Sequence, residues 1–180
     1  LENFGHSFDQ LIALNPHEIQ MGILKRLRGA PLNRHTENYQ LKYNPQAPYN
    51  ILKTQDISFN EMQRVNRFAR YWDMIGNSGR FSNTLPLILA DAPFNHFMLL
   101  SDKLQLLAGS SWKIALKRLF ELIYVILTEE FNLSAKIVKQ QLALDYARAK
   151  LKGIPNYEQG DMVKKEKKSG IANKRQLSHQ

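Results

Sequence analysis

Residues Asn15–Thr36 read NPHEIQMGILKRLRGAPLNRHT, and the fold of the chain turns on how this stretch is read. Ile19, Ile23, Leu24 and Leu27 recur at helical spacing, Lys25, Arg26 and Arg28 follow them, and Gly29-Ala30-Pro31 closes the run. Read locally, this is an amphipathic helix. Its cations sit where the helix dipole favours them, Gly29 takes the left-handed position after the last turn, and Pro31 prevents continuation.

Upstream, Ser7–Leu14 reads as a short helix capped by Ser7, with Phe8, Leu11, Ile12 and Leu14 on one face and Asn15-Pro16 as its break. Downstream, Leu32–Asp56 is the least helical part. Tyr39, Leu41 and Tyr43 alternate with polar neighbours, and Tyr49, Ile51 and Leu52 form a second extended run across the Asn44–Pro48 turn. These predict a small hairpin or a pair of extended segments.

From Ser58 the chain reads as helices joined by short turns. Ser58-Phe59-Asn60-Glu61 is a capping box, in which the hydroxyl and the carboxylate each satisfy a free N–H of the first turn. Met62, Val65, Phe68, Ala69, Trp72 and Ile75 then share one face. Leu85–Ala90 is a short apolar piece, and Phe94 to Ala108 a further helix stopped by Gly109. A helix from Ser111 to about Glu130 is apolar almost all round and reads as the central buried one. Ser134 caps the last helix, which runs to about Lys152 before Gly153 and Pro155. A polar, Lys-rich tail follows Tyr157 and reads as disordered.

Composition limits the chemistry. The 180 residues suffice for one sizeable core and carry a net charge of +9. Six basic residues against two acidic ones between 160 and 180 supply +4 of it. There is no cysteine, so this chain offers no disulfide, no cysteine nucleophile and no thiolate for a metal or an iron–sulfur cluster. No stretch approaches the roughly 18 apolar residues of a membrane span, and a cytoplasmic setting is expected. The chain opens on Leu1 rather than methionine, as a fragment would.

Among five histidines none is paired at metal-binding spacing; His35, in the loop after Gly29-Ala30-Pro31, is the best placed for a site. His96, in an aromatic helix, reads as a packing residue, and Glu129-Glu130 as a solvated helix end, since neighbours face different ways. No phosphate-binding glycine loop and no nucleophile elbow occurs. Arg64, Arg67 and Arg70 near Tyr71 and Trp72, with Arg80 in the turn Asn77–Phe81, form a basic surface. The plain reading is a solvated face; the functional one is contact with nucleic acid or an acidic partner.

Several segments together resemble the C-terminal region of cobalamin-binding-domain radical S-adenosylmethionine proteins that carry a helical C-terminal domain of unknown function. They are His17–Leu32, Pro48–Leu52, Phe68–Asp73, Asn77–Phe81 and Leu144-Asp145-Tyr146, in that order, and the similarity runs from about Phe4 to Pro155. It implies a mainly α fold: a helical bundle preceded by a short remnant of an α/β barrel, with one helix, one strand and an extended loop. Residues 1–36 would end the barrel, with Ser7–Leu14 its last helix and Glu18–Leu24 its last strand. Residues 37–57 would be a linker or hairpin, 58–155 the helical domain, and 156–180 the basic tail.

The resemblance also implies a parent enzyme with a 4Fe-4S cluster, S-adenosylmethionine and, in many members, cobalamin. None of these is held by this chain, which lacks the cluster cysteines. Gly29, Pro31 and Arg34 are then the positions expected to line the cofactor cavity, although Ala30 replaces the threonine common in the family's Gly-Thr-Pro. The expected role is support or cover for the parent's active site, with the rest of that enzyme as partner and no catalysis by this chain alone. The competing expectation is a free-standing basic helical module that binds nucleic acid or an acidic partner. The two readings of Asn15–Thr36 separate at Ile19–Leu24: a regular helix there weakens the enzyme-fragment reading, and extended backbone supports it.

Overall fold

The computed structural model describes residues 1–153 and 155–158; the expectation of a disordered tail falls outside them beyond Glu158. The chain is mainly helical, with six α-helices and one two-stranded sheet among the described residues.

Helix α1 spans Glu2–Ala13, starting upstream of the expected Ser7. Ser7 lies inside it and its hydroxyl donates to the Asn3 carbonyl at 2.8 Å, so it caps nothing. The early start comes from packing. Phe4 and Phe8, one turn apart, both turn into the core, and Gly5 between them is buried. A Cβ on Gly5 would lie 2.4 Å from the Phe94 ring, so glycine is what allows α1 to lie this close to its neighbour.

No helix forms between Asn15 and Ala30, which corrects the local reading of that stretch. The reason is in the destinations of its apolar side chains. Ile19 and Met21 pack on the main core, while Ile23 and Leu24 pack on a separate small cluster with Leu41, Ile51 and Met62. The four side chains are shared between two clusters over six residues, and this tertiary packing overrides the local periodicity. The segment is not a ladder strand either. Its pairing is one antiparallel bridge, Lys25 with Asn50, flanked by Arg26 N–H to Tyr49 O (3.0 Å) and Ile51 N–H to Leu24 O (2.9 Å). Gly29 adopts φ 75° in the turn closed by Ala30 N–H to Leu27 O (3.2 Å) and ends no helix. A 3-10 turn, Pro31–His35, follows.

The hairpin is real. Strands β1 (Lys42–Tyr43) and β2 (Ile51–Lys53) pair antiparallel, with Lys42 opposite Lys53 and Tyr43 opposite Ile51. Helix α2 (Phe59–Ile75) begins at the predicted capping box: the Ser58 hydroxyl accepts from Glu61 N–H and Glu61 accepts from Ser58 N–H at 2.8 Å. The Ser58 hydroxyl also donates to Glu61 Oε2 at 2.6 Å, and this bond first, then the one from Ser58 N–H, holds the Glu61 carboxyl below its ordinary pKa. Helices α3 (Leu85–Leu89), α4 (Pro93–Ala108), α5 (Leu116–Glu129) and α6 (Ala135–Arg148) complete the bundle. Gly109 ends α4 in the left-handed conformation, as its position suggests.

The centre of the bundle is α4, which packs against α1, α2, α3 and α5. Helix α5 is buried on most of its circumference, as its composition predicts, but it sits to one side between α4 and α6. The centre is α4 instead: α5 is covered by α4, by α6 and by the 3-10 turn Asn156–Glu158, which is enough to bury it without placing it in the middle. An aromatic cluster joins α1, α2 and α4, with Phe68 at its hub. Across the bundle, the fully buried Asp145 of α6 accepts four hydrogen bonds from Asn83 and Thr84, just ahead of α3.

Candidate functional site

The stretch 19–30, which forms no helix, lies between two cavities. The first is apolar, about 410 Å³, and is walled by α1, by six consecutive residues Ile19–Leu24, and by Ile51, Ile57, Met62 and Val65. Among the described residues, the backbone N–H groups of residues 20 to 23 make no hydrogen bond. Such groups are satisfied by water or by a further strand, since burying them unpaired is costly. The segment is pinned at both ends instead. At one end the Asn77 amide brackets Ile19, donating to its carbonyl at 3.0 Å and accepting from its N–H at 3.1 Å, as a neighbouring peptide group would. At the other end stands the Lys25–Asn50 bridge.

The second cavity, about 900 Å³, lies between the Gly29 turn and the hairpin. Arg26, Arg28 and Lys42 line it, with Tyr43, Tyr49 and Asn44, and no carboxylate is among the lining residues. Of the three positions expected at a cofactor cavity, Gly29 lies on this cleft. Pro31 and Arg34 lie in the adjacent 3-10 turn, outside its lining; Arg34 Nε donates to His35 Nε2 at 3.1 Å. His35 also meets the edge of Tyr39, with ring centres 5.8 Å apart.

The basic face of α2 is largely occupied from within. Arg64 grips Asp102 with Nη2 at 2.7 Å and Nε at 3.0 Å, and Arg67 reaches the same carboxylate at 3.6 Å. Arg70 lies over the Trp112 ring at 4.5 Å. Three of the four arginines thus have partners inside the molecule, which reduces the charge this face offers to nucleic acid. Arg80 remains exposed in its turn. His96 packs on Phe131 with Nδ1 3.1 Å from Leu89 O, and Glu130 pairs with Lys103 at 2.8 Å.

Tyr71 sits beneath the arginine face, fully buried, and its hydroxyl has no hydrogen-bond partner among the described residues. Burial pushes the phenol above its usual pKa, against the opposing pull of Arg67. Tyr71→Phe is expected to raise stability by about 1 kcal/mol, because it removes a desolvated, unpaired hydroxyl. The pH dependence checks the cause. With the folded pKa raised, the unfolded chain loses this proton first, so stability holds below about pH 10 and declines as pH rises further. Denaturant titrations should show that part of the decline missing in Tyr71→Phe.

A four-iron cluster finds no thiolate in this chain, and among the described residues no group of three or more His, Asp or Glu could hold a metal ion. No described helix is long and apolar enough to cross a membrane. The sequence reading named the Gly29 turn but missed the apolar cavity, the Asn77 bracket and the facing lysines, each of which needs contacts between distant residues. A family model for proteins of unknown function matches residues 37–180. No curated protein and no solved structure matches.

Proposed function

The chain belongs to that family, DUF4080, a family of proteins of unknown function, and from this premise we propose that it is the C-terminal part of a radical S-adenosylmethionine iron–sulfur enzyme. In this reading the helical domain supports or covers the active site of its parent. The 4Fe-4S cluster, S-adenosylmethionine and any cobalamin belong to the remainder of the parent, and no step of their chemistry is routed through residues of this chain.

The observation that carries the reading is the stretch 19–24. It is non-helical, its N–H groups at 20 to 23 are unpaired, and it walls an open apolar cavity. A last barrel strand viewed without its neighbours has these properties.

Iron and sulfide reconstitution of the purified chain is expected to give no stable four-iron spectrum. Joined to the upstream coding stretch, which should carry CxxxCxxC, it should give that spectrum and slow hydrogen exchange at residues 20 to 23. A stable cluster on this chain alone, or an upstream stretch lacking the cysteine loop, would overturn the proposal.

A further inference from the structure

We infer that the cleft between the Gly29 turn and the hairpin binds a phosphorylated small molecule. This goes beyond the proposed role in a parent enzyme and stands without it.

The charge arrangement is the first ground. Arg26, Arg28 and Lys42 converge on one cavity of about 900 Å³ that has no acidic lining residue. Among the described residues none of the three makes an ion pair. This contrasts with Arg64 and Arg67 on α2, which share Asp102. Solvated lysines along a short hairpin are a common way to blunt a sheet edge, and that would account for Lys42 and Lys53. It does not account for Arg26 and Arg28, which come from a different segment and face the same space.

The second ground is preparation of the donors. Arg26 is held over the Tyr43 ring, 6.0 Å from its centre. The Asn44 Oδ1 accepts from Gln46 N–H at 2.9 Å, which leaves its amide N–H groups for a ligand. Forked guanidinium donors suit phosphate oxygens, and the cavity volume falls within the usual range of small-molecule sites.

The test is calorimetric titration of the folded chain with inorganic pyrophosphate, with ATP, and with single-stranded oligonucleotides of increasing length. Saturable binding of pyrophosphate and ATP at low ionic strength is expected. Arg26→Gln and Arg28→Gln should each weaken it by at least about tenfold, and Arg80→Gln, outside the cleft, should leave it unchanged. Both cleft arginines are exposed, so circular dichroism should show the variants folded. The inference is overturned if wild type binds neither pyrophosphate nor ATP, or if the cleft variants bind as wild type does. Binding confined to oligonucleotides and growing with their length would also overturn it, in favour of a nucleic-acid surface.

Discussion

Asp145→Ala is expected to cost about 3–5 kcal/mol of folding stability and to lower the thermal midpoint by roughly 6–20 °C. The Asp145 Oδ1 accepts from Asn83 N–H at 3.0 Å and from its side-chain amide at 2.7 Å. Oδ2 accepts from Thr84 N–H at 2.8 Å and from its hydroxyl at 2.7 Å. Both Asp145 and Thr84 are fully buried. Truncation leaves four donors without their acceptor, two of them on the fully buried Thr84, and two of the four are backbone N–H groups that cannot turn away. Asp145→Asn separates acceptor loss from volume loss. It keeps the shape, but its NH2 must face N–H donors on one side. The Thr84 hydroxyl can rotate to accept; the Thr84 N–H cannot. An intermediate loss is therefore expected, and chemical denaturation of both variants would measure it. Equal stability of Asp145→Asn and wild type would mean that the four donors find other partners.

Phe68→Ala should cost about 3–5 kcal/mol and loosen α1 from the bundle. The ring is fully buried. It meets Phe4, Phe8 and Phe97 edge to face, with ring centres 5.7, 5.0 and 5.0 Å away, and Phe94 at a tilt, 5.5 Å away. Those partners lie on α1 and α4, so one side chain of α2 holds two other helices. Deleting it removes both the apolar burial and the edge-to-face contacts, and close-packed neighbours cannot fill the space. Faster hydrogen exchange in α1 than in α6 would identify the local effect. Uniform loss of protection would mean that α1 and the bundle unfold together.

The features legible in the sequence are the ones written in neighbouring residues. The Ser58–Glu61 capping box, the Gly109 stop and the apolar stripe of α2 each lie within a turn or two, where local physics decides. Asp145 was visible only as part of a resembling segment; its partners lie more than 60 residues away and no spacing rule connects them. The stretch 19–30 failed as a helix for a related reason. Periodicity reports that apolar residues share a face, and it is silent on whether that face has one core to meet. Here Ile19 and Ile23 go to different cores, so the pattern was present and the helix was not. Of the cleft, Arg26, Arg28 and the Gly29 turn could be read in order along the chain. Their meeting with Lys42 could not, because it depends on how the hairpin folds back.

The Asn77 bracket on Ile19 has a consequence for recognition. With Ile19 fixed at one end and Lys25 at the other, the peptide units between them are already restrained before anything docks beside them. Ordering a free backbone costs about 1–2 kcal/mol for each residue. A strand that docks on this stretch meets a pre-organised template, so more of its hydrogen-bond energy is retained as affinity. Asn77 would thereby set how tightly such a strand binds from a position that the strand need never touch.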